Sequence, residues 1–212
     1  MQRWFHILGS KNRKKTYFFI LLDANNQKHM FSTDDYILSK LKQGDEKALK
    51  EVVDKYYNQL CVYSVQYTDS LEVSEDIVQD FIIRLWEKKL HLTINNNLKS
   101  FLFNSVRNAS VDYLRKHQPY RFVEIEEDAY ITDFEPNETE IEEQVRRLKQ
   151  YLKELTPKEY KVLMEIVVHN KKYKEVAEEL GLSVNTIKTH LSRALKFLRS
   201  KPFISLYSLF YL

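Results

Sequence analysis

Residues 74–89 read "SEDIVQDFIIRLWEKK". Apolar side chains recur at Ile77, Val78, Phe81, Ile82, Leu85 and Trp86. This is the three-and-four spacing of an amphipathic α-helix, not the alternation of a strand. Ser74 is the expected N-cap, with Glu75 and Asp76 in the first turn, where the helix dipole favours acids. With one face committed to a core, Asp76, Gln79, Asp80 and Arg84 remain for the other.

The same period continues on both sides. Upstream, Ile37, Leu38 and Leu41 share a helical face, and Gly44 can end that helix in the left-handed conformation. Asp45 can cap a long helix carrying Ala48, Leu49, Val52, Val53, Tyr56, Leu60 and Tyr63, to about residue 67. Downstream, "HLTINNN" reads as a loop. A further helix follows over 98–117, with Leu98, Phe101, Leu102, Val106, Ala109, Tyr113 and Leu114 on its apolar side. Residues 31–117 are therefore expected to form one all-helical domain.

The chain then changes character. Residues 118–143 are dense in acid, as a solvated linker would be. A second domain is expected over 144–201. In "LTPKEY", Thr156 can cap a helix, Pro157 suits its first position and Glu159 completes a capping box. "YKEVAEEL" gives the next helix, Gly181 a tight exit, and Ser183 a cap for the last one.

On a wheel of about 100° per residue, Val184, Ile187, Leu191, Ala194, Leu195 and Leu198 gather on one side of that last helix. Asn185, Thr186, Thr189, Ser192, Arg193 and Lys196 lie opposite, with Lys188 on the flank. No acid occurs between Ser183 and Lys201. A short helix, a glycine turn and a second helix with a basic face form the helix-turn-helix arrangement, whose second helix enters the major groove. Asn185 has the amide geometry to pair with adenine, and Arg193 the fork to pair with guanine or a phosphate. An ordinary amphipathic helix with a solvated face shares the wheel, but not the combination of glycine turn, serine cap and acid-free face.

Composition limits the alternatives. Hydrophobic residues make up 43%, and there are only 3 glycines and 4 prolines, which favours helices over a turn-rich β fold. The net charge of +3 is too mild to argue for nucleic acid by itself. Cys61 is the single cysteine, so no internal disulfide forms and a reducing compartment fits. The six histidines (His6, His29, His91, His117, His169, His190) show no metal-ligand spacing, and no glycine-rich phosphate loop occurs. No enzyme, cofactor, metal or small-molecule substrate is expected. Neither "YFFILL" nor the hydrophobic tail 202–212 is long enough to span a membrane, and the tail is expected to pack on a domain or a partner.

Residues 74–87 closely resemble the signature of region 2 of the sigma-70 family of bacterial transcription initiation factors, matching at Glu75, Asp76, Ile77, Val78, Gln79, Asp80, Leu85 and Trp86. The family's phenylalanine often falls one place after Phe81, where this chain has Ile82, a core swap of little consequence. Residues 98–116 resemble the next part of the region at Arg107, Asn108, Asp112, Tyr113, Leu114 and Arg115, and residues 181–200 resemble region 4. The order is that of the small extracytoplasmic-function (ECF) class, which has only these two regions; the short iron-transport (FecI-like) type is the nearest flavour. Residues 1–30 fall outside the resemblance, and Met30 stands where such proteins usually begin.

The resemblance implies an all-α protein of two helical domains joined by an acidic linker. It implies a cytoplasmic factor whose partners are core RNA polymerase, promoter DNA and an anti-sigma factor. Asp76, Gln79, Asp80 and Arg84 would dock on the clamp helices of the largest polymerase subunit, and region 4 would meet the flap. Asn95, Asn96 and Asn97 would help to capture an unstacked base of the −10 element, an extrusion that costs a few kcal/mol. Lys99, Arg107, Arg115 and Lys116 would hold its phosphates. Ser183, Asn185, Thr186, Lys188, Thr189, Arg193 and Lys196 would face the −35 duplex. The linker would thread toward the polymerase active centre, where its acids could mimic nucleic acid. The rival is a helix-turn-helix regulator of the LuxR or response-regulator kind that binds DNA without initiating. The absence of βαβ alternation in 34–117 counts against a receiver domain.

Overall fold

Helix α1 (Asp34–Lys42) ends where Gly44 takes φ +78°, and Asp45 caps α2 (Glu46–Thr68) by accepting from the Lys47 amide. The structure, a computed structural model, describes residues 34–94, 97–117, 138–202 and 204–212. The Met30 start, Asn95 and Asn96, and most of the acidic run lie outside the described residues. Among those described, every regular element is helical.

From Tyr56 to Thr68 nearly every side chain of α2 is buried, as expected of a helix surrounded by others. Helix α3 (Leu71–Glu87) packs along α2, and α4 (Leu98–His117) closes the other side. A 3₁₀ turn (Leu90–Thr93) links them and buries His91, whose Nδ1 lies 3.0 Å from the Leu85 carbonyl and whose ring stacks on Trp86.

The expected start of α3 needs correction. Its N-cap is Ser70, not Ser74: Ser70 Oγ accepts from the Val73 amide. Ser74 lies inside the helix, fully buried, with its hydroxyl 2.7 Å from that of Thr68. The reason is Leu71. It belongs to the buried stripe Leu71, Val78, Phe81, Ile82 and Leu85, so core burial extends the helix upstream. Glu75 shares that stripe and is also buried.

The second unit begins with α5 (Glu138–Tyr151), six residues before the expected Gln144. Thr156 and Glu159 form the capping box of α6 (Pro157–Leu163), and Pro157 takes its first position. The chain then widens into a π turn (Met164–Val168) and bends at Asn170, φ +53°. Helix α7 (Tyr173–Leu180) ends at Gly181, φ +63°, where the Leu182 amide donates to the Ala177 carbonyl at 2.9 Å. This is a Schellman closure. An added Cβ on Gly181 would meet nothing within 4 Å, so the backbone angle alone asks for glycine. Ser183 caps α8 (Val184–Arg199), which buries Ile187, Leu191, Ala194, Leu195 and Leu198.

The C-terminal tail forms a 3₁₀ turn (Leu206–Tyr211). It packs on α2, α5, the π turn and α8, so one continuous apolar core runs through both units.

Candidate promoter and polymerase interface

Three stripes carry the candidate contacts. The first is on α3. Its buried side points at α2 and α4, leaving Asp76 and Arg84 exposed and Asp80 half-buried, one turn apart each. Arg84 Nε donates to the Asp80 carbonyl at 3.3 Å. Gln79 turns inward, its Nε2 donating to the Tyr57 hydroxyl at 3.4 Å. The sequence placed all four residues on one surface; the structure brings Asp76, Asp80 and Arg84 together and sets Gln79 against α2.

The second stripe is on α4. Asn97 is exposed, and its Oδ1 accepts from the Ser100 amide at 2.8 Å, so it caps the helix. Arg115 and Lys116 are exposed at the far end, where Arg115 pairs with Asp112 at 3.1 Å. Lys99 differs. Its Nζ lies 5.5 Å and 5.4 Å from the ring centres of Tyr207 and Tyr211 in the tail, and 6.0 Å from that of Phe103. Burial holds its ammonium below the usual lysine pKa, against the opposing field of Asp34. Arg107, one turn past Phe103, is half-buried near Tyr63.

The third stripe is on α8. Asn185, Thr189, Arg193 and Lys196 are exposed along one side, opposite the buried residues. Thr189 Oγ1 donates to the Asn185 carbonyl at 2.9 Å. Ser183 Oγ accepts from the Thr186 amide at 3.1 Å and lies 2.8 Å from Thr186 Oγ1, so both serve the cap as much as any ligand. Lys188 is half-buried and already paired: its Nζ donates to Glu75 Oε2 at 2.6 Å and sits 5.2 Å from the ring centre of Tyr173.

The Lys188–Glu75 contact crosses between the units, and others accompany it. Arg199 meets Asp69 at 2.5 Å. Asn58 Nδ2 donates to the Ile166 and Lys171 carbonyls, both at 3.2 Å, and Asn170 Nδ2 donates back to the Asp54 carbonyl at 2.6 Å. Beside them Glu165 is buried among Lys161, Lys171 (2.8 Å) and His169 (3.2 Å). Hydrogen bonds from Lys161 and then Lys171 hold its carboxyl down to about 2. Around Glu75, burial pushes the Tyr57 and Tyr173 phenols and the Cys61 thiol well up, so Cys61 stays an inert thiol. The sequence singled out Lys188 and Glu75 for other roles, and none of these residues as a bridge between the units. The one available signal was Glu75, an acid standing on the apolar stripe of α3.

The order of these helices is matched by known proteins. The profile of Sigma-70 region 2 matches residues 52–120, and that of Sigma-70, region 4 matches residues 146–198. Together they account for more than half of the chain.

The chain belongs to the sigma-70 family.

It is 23% identical to the RNA polymerase sigma factor YlaC of Bacillus subtilis (strain 168), over 69% of this chain and 87% of the relative. It is 23% identical to the ECF RNA polymerase sigma factor SigW of the same organism, over 77% of this chain and 94% of the relative. It is 26% identical to the ECF RNA polymerase sigma factor SigM, over 72% and 93%. Regions 2 and 4 together make this sigma-70 protein an RNA polymerase sigma factor of the ECF class. They disfavour a regulator that reads DNA and stops there. Among the described residues, no helix is long and apolar enough to cross a membrane.

Proposed function

We propose that this sigma factor docks on the clamp helices of the largest polymerase subunit through Asp76, Asp80 and Arg84, with Gln79 released from Tyr57 to join them. Asn97 and the neighbouring Asn95 and Asn96 meet the unstacked −10 strand, and Lys99, Arg107, Arg115 and Lys116 hold its phosphates. Asn185, Thr189 and Arg193 read base edges of the −35 duplex, while Lys188 and Lys196 anchor phosphates and Ser183 and Thr186 order the helix start. Region 4 meets the polymerase flap, and an anti-sigma factor holds the protein inactive in the cytoplasm. The protein places the polymerase, which does the chemistry.

The observation that carries this reading is the α8 surface. Its exposed stripe is polar and basic, without an acid from Ser183 to Lys201, on the second helix of a glycine-turn pair. A duplex phosphate backbone attracts such a surface, and its side chains are of the types that read base edges. The test mixes the purified protein with core polymerase and promoter templates. Promoter-specific run-off transcripts are expected. Failure to associate with core would sink the assignment of α3, and specific DNA binding without initiation would favour the plain regulator.

A further inference from the structure

The −10 and −35 elements lie about 25 base pairs apart, roughly 85 Å of duplex at 3.4 Å per base pair. A compact body of this many residues has a radius of gyration of roughly 17 Å and so a diameter near 45 Å. In the structure the two units are tied together: Lys188 of α8, the −35 reading helix, is bonded to Glu75 of α3, and Arg199 to Asp69. This closed arrangement cannot engage both elements at once.

The tail stands where it can hold that arrangement. Leu206, Tyr207, Ser208 and Leu209 are buried. Ser205 Oγ donates to Gln66 Oε1 on α2 at 3.0 Å. Tyr207 packs edge-on against Phe103 (5.6 Å) and Tyr63 (6.2 Å), and Phe210 against Phe103 (5.9 Å). The same turn packs on α5 and α8 of the second unit. Its rings also cover Lys99.

We propose that the C-terminal tail is an intramolecular clasp: it bridges regions 2 and 4, holds the protein closed, and must leave α2 and α4 before both promoter elements can be read. The inference rests on the promoter assignment above. Covalently the opening is free to occur. The roughly 20 residues between His117 and Glu138 can reach about 70 Å when fully extended, and the reading helices add the rest. Opening also frees Lys99 and Lys188, both engaged by other side chains in the closed form, for the promoter.

Two variants test it. In Gln66→Cys with Ser205→Cys, a short bismaleimide joins the tail to α2; Cys61 is buried and does not compete. Only residues 200–204 then separate α8 from that anchor, so region 4 cannot move away. The cross-linked protein is expected to lose promoter-specific run-off with core polymerase at least tenfold, while the uncross-linked double variant stays active. Equal run-off from both overturns the proposal. Tyr207→Ser loosens the clasp. If the open form is about 10% populated or less, freeing it tightens apparent promoter affinity up to about tenfold, with a larger radius of gyration in solution scattering. A folded Tyr207→Ser protein, by helical circular dichroism, that changes neither quantity also overturns it. Should the variant not fold, the cross-linked chain, whose tail is intact, decides. Loss of run-off in the uncross-linked double variant and the unaltered chain alike would instead count against the promoter assignment.

Discussion

On α8 two kinds of residue make separable contributions. Arg193 and Asn185 have planar, forked groups suited to base edges, where one good pair is worth about 1–3 kcal/mol of discrimination. Lys196, one turn beyond Arg193, offers only a point charge. Arg193→Ala is expected to weaken binding to the preferred −35 sequence and to flatten the preference at one base position. Lys196→Ala is expected to weaken all sequences alike and to lower the slope of log affinity against log salt by about 1. Competition binding with a set of singly substituted duplexes, run at several salt concentrations, separates the two. If Arg193→Ala lost affinity uniformly across the set, its role would be that of a phosphate anchor. The sequence showed this stripe because helical period and residue type suffice for it. It did not show that Lys188 is held by Glu75, since that contact joins positions 113 apart in the chain.

Among the elements, the turns and caps were the most legible. Asp45, Thr156 with Glu159, Gly181 and Ser183 act locally, and each does in the structure what its neighbours in sequence imply. Ser70 was missed because Leu71, packed into the core, extends α3 beyond the point where the acids suggested a start. Ser70→Ala is therefore expected to cost about 1 kcal/mol as a lost cap, measured by denaturant unfolding; no change would mean that the first turn of α3 contributes little. The π turn was not legible at all. Lys161 and His169 stand four residues to either side of Glu165, a local spacing, but the widening that also brings Lys171 to 2.8 Å from it follows no residue signal. The pKa of Glu165 falls from the usual 4.5 to about 2 in the folded protein. A carboxyl depressed on folding stabilises above its unfolded value and loses that contribution as pH falls through its folded value. The stabilisation is thus present above about pH 4.5 and lost progressively toward pH 2. Glu165→Gln is expected to lower neutral-pH stability by on the order of 2 kcal/mol and to flatten the acid limb of thermal stability. A variant whose melting temperature still falls across that window as steeply as the unaltered protein would show that other carboxylates set the limb.

In the whole molecule, the two units share one apolar core, joined by the tail and by the Asn58–Asn170 hydrogen bonds. Hydrophobic period announced two helical domains, but it could not announce that they pack together, because each unit's pattern is satisfied by its own core. The tail is the exception. Leu206 and Leu209 are buried where the turn packs on both units, and Tyr207 lies against rings of the first unit. Exposed ion pairs such as Lys172–Asp54, at 3.6 Å, contribute about 0–1 kcal/mol each. Fully burying one leucine is worth roughly 1.5–3 kcal/mol. Two leucines and a tyrosine therefore outweigh exposed pairs of this kind. The unaltered chain is expected to unfold in urea as one transition, with α3 and α7 reporting the same midpoint. A chain ending at Pro202 is expected to show two transitions, one for each unit, because ion pairs and asparagines alone do not keep the units cooperative. Site-specific fluorescence from probes on exposed positions of α3 and α7 follows both units separately. Two separated midpoints in the unaltered chain would show that the tail does not couple them, and a single shared midpoint in the shortened chain would assign the coupling to the Asn58 and Glu75 contacts instead.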